Sequence, residues 1–202
     1  MPFPARLAIA SKNPHKLREL GRICADWPVE WITVENHDGP WPDVEEPHET
    51  YLENAAEKAR AVASALGIAA IADDSGLEVE GLGGGPGPRS ARFAGEGASD
   101  EENLAKLISV VEELPPGERR ARYVCLAAMA APDGEVVDAN GLCEGTLVTE
   151  RRGERGFGYD PVFVPDETPG RTMAELADEE KDRISHRGHA FRALRGLVEA
   201  GG

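Results

Sequence analysis

Cysteine is scarce in this chain: Cys24, Cys125 and Cys143 are few, far apart and odd in number, which excludes a disulfide framework. None stands in C-x-x-C spacing, so zinc and dithiol redox motifs are absent too. Buried structural thiols in a reducing compartment are expected, and with them a cytoplasmic location. Long apolar runs are also missing, which leaves no membrane partner, and Met1-Pro2-Phe3-Pro4 leads into a short strand rather than reading as a secretory leader. Basic charge is outweighed. The net charge of -15 excludes nucleic acid as the expected partner, because duplex affinity rests on basic neutralisation of phosphates. Lysine is rare as well, confined to Lys12, Lys16, Lys58, Lys106 and Lys181 among 22 basic residues. A compact ammonium suits a phosphate in a way that a planar guanidinium does not reproduce, so the surviving lysines are candidate phosphate contacts. A compositional preference for arginine gives the same count.

What is present is enough chain, 202 residues, for one domain over residues 1–202, or one with a lobed insertion, holding a sizeable core. Arg6 to Ala10 reads as a strand. Asn13-Pro14 then supplies an N-cap and a proline at the first helical position, with Leu17, Leu20, Ile23 and Cys24 on one helical face. Trp27 to Val34 reads as a second strand and His37 to Pro47 as a loop. Thr50-Tyr51-Leu52-Glu53 is a capping box opening a helix with the stripe Leu52, Ala55, Ala56, Ala59, Ala63 and Leu66. Ser99 to Glu102 opens another, carrying Leu104, Leu107, Ile108 and Val111. Arg122 to Ala131 and Glu135 to Val148 flank a Pro132-Asp133-Gly134 turn as a hairpin. The tail holds a capped turn at Thr172 to Glu175 and a last helix from about His186 to Glu199, carrying Phe191, Leu194, Leu197 and Val198. Early alternation of strands and helices followed by a hairpin predicts an α/β fold with a mixed sheet.

The feature hardest to explain by folding alone is Ile71-Ala72-Asp73-Asp74-Ser75-Gly76-Leu77. The run Ile68 to Ala72 has the length and apolar character of a core strand, so the acids are expected where the chain leaves the core, with their side chains diverging. A turn-initiating Asp pair before Gly76 is the plainer alternative. The junction Ser11-Lys12-Asn13-Pro14-His15-Lys16 places a hydroxyl, an amide, two ammonium groups and helix N-terminal N–H groups together, as an anion site requires. Its alternative is a cap with solvated lysines. Glu53 has a sufficient role in its capping box, whereas Glu46 lies ahead of that helix and could join Asp73 or Asp74 around a hard cation such as Mg²⁺.

Taken in order, these pieces and four more closely resemble the inosine triphosphate pyrophosphatase family over nearly the whole chain. The segments are Ser11-x-Asn13-x-x-Lys16, Glu46, Glu53-Asn54-Ala55-x-x-Lys58-Ala59, Ala72 to Leu77, Pro86-Gly87-x-x-Ser90-Ala91-Arg92, Phe157-Gly158-Tyr159-Asp160-Pro161 and Lys181-x-x-x-Ser185-His186-Arg187-Gly188. The resemblance implies hydrolysis of non-standard purine nucleoside triphosphates (ITP, dITP, XTP) to monophosphate and pyrophosphate. It implies a long mixed sheet flanked by helices in two lobes, a substrate cleft between them, and a homodimer. Carried onto this sequence, Ser11, Lys12, Asn13, Pro14, His15 and Lys16 form the phosphate loop, with Lys58 assisting. Glu46 and Asp74 are the Mg²⁺ ligands, and Asp74 is also the proton acceptor for the attacking water. Asp73 contributes through a water or fixes the turn. Ser75 adjoins the substrate, Phe157, Gly158, Tyr159 and Asp160 wall the base pocket, and Lys181, His186 and Arg187 close over base and triphosphate. Within that family context, donors from His186 and Arg187 opposite a 6-oxo group would reject adenine, whose 6-amino group would meet an unpaired donor. A Maf-like pyrophosphatase acting on pyrimidine or modified nucleotides, and a binding module without turnover, are the rival readings.

Overall fold

Short apolar runs bounded by turn residues, and longer stretches repeating every three to four positions, dictate the element order of this computed structural model. It describes residues 3–201; Met1 and Pro2, on which part of the leader reading falls, lie outside them. The strands are β1 (Arg6–Ile9), β2 (Glu30–Ile32), β3 (Ala69–Val79), β4 (Arg120–Ala130), β5 (Val136–Leu147) and β6 (Phe163–Pro165). The helices are α1 (Pro14–Ile23), α2 (Tyr51–Leu66), α3 (Asp100–Glu112), α4 (Asp178–Ile184) and α5 (His186–Ala200). The sheet has the order β2-β1-β3-β4-β5-β6. It is mixed, as expected: β1 runs parallel to both β2 and β3, whereas β5 and β6 pair antiparallel.

Two compact units make up the chain. One comprises the chain up to Asp74, Cys125–Gly141 and the chain from Arg187; the other comprises Ser75–Val124 and Leu142–His186. In the first unit, strand alternation sends Leu7, Ile9, Ala69 and Ile71 to a core shared with Leu17 and Leu20 of α1 and Phe191 and Leu194 of α5. The intervening residues Ala8, Ala10, Ala70 and Ala72 meet Ala55, Ala59, Val62 and Ala63 of α2. Alanine on both sides of that contact lets helix and strand backbones approach closely. Gly67 ends α2 in the left-handed region, at a φ of 65°, which a residue with a Cβ adopts only with strain. The second unit packs Leu77 and Val79 with Leu104, Leu107 and Val111 of α3 and with Tyr123, Cys143 and Phe163.

The helix starts follow the caps read from the sequence. Asn13, Thr50 and Ser99 each accept N–H groups of the first turn, and Ser99 forms a full capping box with Glu102. Three expectations change. β3 does not end at the acid pair but runs on to Val79, so Asp73 and Asp74 are mid-strand residues. Leu52 is 40% exposed and Leu197 49%, so neither belongs to its helix's buried stripe; Tyr51 and Asn54 are buried on α2 instead. The second strand, expected from Trp27 to Val34, is confined to Glu30–Ile32, because Trp27 instead turns into the core beside α1 and α5; the short elements α4 and β6 lie outside the sequence reading. All three cysteines are free and buried, as expected.

Candidate active site

Asp73 and Asp74 continue the two faces of β3 that Ile71 and Ala72 begin, so their carboxylates diverge into different surroundings. Asp73 points to the α1 and α5 side. There its Oδ2 accepts from Nη2 of Arg187 at 3.0 Å and Nε at 3.2 Å, and pairs with the Lys16 ammonium at 3.0 Å. Nη1 of Arg187 donates to Glu19, an acid of α1 that is itself buried. Burial alone would raise the Asp73 carboxyl, but Arg187, then Lys16 and Lys58, hold it far below the usual carboxylate range. The same carboxylates push the already basic guanidinium of Arg187 higher still, against the effect of burial.

Asp74 points to the α2 side. Its Oδ2 accepts from Nδ2 of Asn54 at 3.0 Å, and its Oδ1 lies 3.7 Å from the Lys58 ammonium. Lys58 also donates to Glu46 Oε1 at 2.6 Å, which anchors the otherwise irregular loop carrying Glu46. Asn54 uses its remaining capacity on His48, accepting from the N–H and donating to the carbonyl at 3.1 Å each. Burial raises the Asp74 carboxyl, with Glu46 adding to the rise and Lys58 and Lys16 offsetting it. Two adjacent carboxylates are thus pushed in opposite directions, one fixed as an anion and one made more basic. Such a split separates an electrostatic role from a proton-accepting one.

Whether these residues suit Mg²⁺ is answered by Lys58. One cation, its ammonium, is shared between Glu46 and Asp74, and Oδ1 of Asp73 is a buried acceptor with no hydrogen-bond partner. Among the described residues no three His, Cys, Asp or Glu converge as a metal cluster. Two carboxylates without soft ligands fit a hard ion that completes its shell with water and substrate phosphate, and they do not fit zinc.

The expected phosphate loop is built as a cap. Asn13 Oδ1 accepts from the N–H groups of His15 at 2.8 Å and Lys16 at 3.3 Å, Ser11 Oγ accepts from Asn13 N–H at 3.2 Å, and Pro14 begins α1. His15 contacts Arg18, and Lys12 pairs with exposed Asp43 at 2.9 Å. An exposed pair of that kind is worth little and is readily exchanged for a phosphate. Ser75 is half-buried, one residue beyond Asp74.

In the second unit the expected base-pocket residues gather around Asp160. Its Oδ2 accepts from the Phe157 N–H at 2.9 Å and pairs with the Lys181 ammonium at 2.5 Å; its Oδ1 accepts from the Tyr123 hydroxyl at 3.2 Å. The ammonium lies 5.1 Å from the centroid of the Phe157 ring, a cation–π contact. A Cβ on Gly156 would collide with the Asp160 carboxylate, and φ there is 74°, so glycine is required beside this hub. Tyr159 is buried and donates to the Ser90 carbonyl at 2.7 Å, while the Ser90 hydroxyl ties Gly87 to Leu77. The Pro86 to Arg92 segment therefore supports the wall, and Gly158 sits half-buried within it. His186 is buried and stacks on Tyr123, with ring centroids 4.6 Å apart and planes 9° apart.

Sequence reasoning gave no role to Glu19, Asn54 or Tyr123. Glu19 carried a signal: it lies one helical turn ahead of Ile23, a residue of the apolar face, and a buried acid needs a cation. The family model described as the Ham1 family matches residues 7–197. A dITP/XTP pyrophosphatase of Cutibacterium acnes is 48% identical, with 94% of each chain covered. One of Anaeromyxobacter sp. is 44% identical, with 96% of each covered. The solved structure of the Staphylococcus aureus Ham1 protein superposes with a TM-score of 0.81 at 40% identity, covering 98% of this chain and 100% of that one.

Proposed function

This chain belongs to the Ham1 family, and from that premise we propose that it hydrolyses dITP, ITP and XTP to the nucleoside monophosphate and pyrophosphate. The observation that carries the reading is the opposed pair on β3: Asp73 held ionised by Arg187 and Lys16, and Asp74 made more basic by burial. Hydrolysis of a phosphoanhydride demands little covalent chemistry from a protein. It demands positive groups fixed against the phosphoryl oxygens and one carboxylate that orients and deprotonates water. Asp74 is the proton acceptor. Lys16 and Lys58, with the α1 N-terminus and Lys12 at its approach, bind the polyphosphate.

Glu46 and Asp74 would hold Mg²⁺, which when bound neutralises charge on the phosphates. With the ion there, the Lys58 ammonium, which now lies between these carboxylates, would be available to a substrate phosphate. Phe157, Lys181 and His186 receive the base, with ring faces for stacking and N–H donors for a 6-oxo acceptor. Adenine presents an amino group there and leaves a buried donor unpaired, which discriminates strongly. The buried free thiols support a cytoplasmic, reducing home, and a homodimer follows the family resemblance.

Turnover of ITP and ATP with Mg²⁺ or with a chelator tests this reading. ITP is expected to exceed ATP in kcat/KM by at least about 10², and the chelator to abolish both. Full activity in chelator would remove the cation, and equal use of ITP and ATP would remove the base readout.

A further inference from the structure

Tyr123 stands outside every motif that suggested an active site, yet it touches two parts of the base-binding wall at once. Its hydroxyl donates to Asp160 Oδ1 at 3.2 Å, and Asp160 in turn holds the Lys181 ammonium and the Phe157 N–H. Its ring face lies against the His186 imidazole, centroids 4.6 Å apart and nearly parallel. An ordinary core aromatic explains neither. Its other ring neighbour, Phe163 of β6, is tilted at 4.7 Å and makes a contact that needs no hydroxyl.

We propose that Tyr123 is a specificity-positioning residue, setting the plane of His186 through its ring and the places of Lys181 and Phe157 through its hydroxyl and Asp160. The proposal rests on the reading of those three residues as the base-recognition wall. Recognition of a 6-oxo group is directional, so a donor tilted away loses the correct base while gaining nothing against the wrong one. An imidazole stacked on a flat ring can slide but not tilt, and a carboxylate with both oxygens engaged cannot rotate. Burial, followed by the nearby Asp160, raises the Tyr123 phenol well above its ordinary value, so the hydroxyl stays protonated and remains a donor.

Tyr123→Phe keeps the stack and deletes the hydroxyl; Tyr123→Leu deletes both. In Tyr123→Phe the kcat/KM for ITP is expected to fall about tenfold, mainly through KM, with ATP changing less than about twofold, so the ITP/ATP ratio narrows. A tenfold change is about 1.4 kcal/mol of transition-state stabilisation, the scale of one misplaced hydrogen bond to the base. In ¹H–¹³C spectra the His186 ring signals, shifted by the aromatic neighbour, should persist in Tyr123→Phe and move toward ordinary values in Tyr123→Leu. An unchanged ITP/ATP ratio in Tyr123→Phe, beside a wild type that prefers ITP, overturns the positioning role. So does an equal loss on both substrates accompanied by a lowered Tm, which a purely structural tyrosine would give. A wild type without preference for ITP would instead overturn the base-recognition reading on which the proposal rests.

Discussion

Asp74→Asn is expected to lower kcat on ITP by roughly 10² to 10⁴, the usual contribution of a positioned general base, while the protein stays folded. The amide is isosteric and can still accept from Asn54, and Lys58 keeps its partner Glu46 at 2.6 Å, so no buried charge is orphaned. The measured Tm should therefore move by only a few degrees, because this buried side chain keeps its volume and its bond from Asn54. Loss of a metal ligand would deepen the fall in turnover and would appear as a raised Mg²⁺ requirement. Wild-type turnover in this variant would mean that another group accepts the proton.

Arg187→Ala is expected to act on stability first. Arg187 is 1% exposed and its guanidinium carries bonds to both Asp73 and Glu19, so its removal leaves two buried carboxylates facing a void. Breaking a buried pair from one side costs about 3–5 kcal/mol, which for a chain of this size is a Tm drop of roughly 6 to 20 °C. Asp73→Asn should lose stability for the same reason, since Arg187 and Lys16 then face a neutral amide. With the guanidinium committed to two carboxylates, any loss of activity in Arg187→Ala should fall on ITP and ATP alike. A normal Tm combined with a narrowed ITP/ATP ratio would instead give Arg187 the base-reading role that the family resemblance implies.

The capped helices and the parallel strands around the acid pair were legible because their determinants are local: Asn13-Pro14, Thr50 with Glu53, Ser99 with Glu102, and apolar runs of fixed period. The end of β3 was not. Two consecutive acids read as an exit from the core because their counter-ions are remote in sequence; Arg187 lies 114 residues from Asp73 and Lys16 lies 57. Alternation along a strand did predict that Asp73 and Asp74 diverge, and that divergence underlies their opposite electrostatics. The seven residues of α4 and the three of β6 are too short to show a period. Leu52 and Leu197 fell on apolar stripes by spacing, but helix orientation is decided by the neighbours a helix meets. Tyr123 was invisible for a further reason: within a strand a tyrosine is ordinary, and only folding brings Asp160 and His186 to it.

The central claim is that Asp74 and the lysines around it direct water to an anhydride bond so that pyrophosphate leaves as one piece. ³¹P NMR of ITP hydrolysis with Mg²⁺ reads this directly. The account predicts signals of IMP and pyrophosphate growing together in equal amounts, with neither IDP nor inorganic phosphate as a first product. Early IDP with inorganic phosphate would contradict it, because cleavage would then lie at the terminal phosphate and not at the bond this site is proposed to cut.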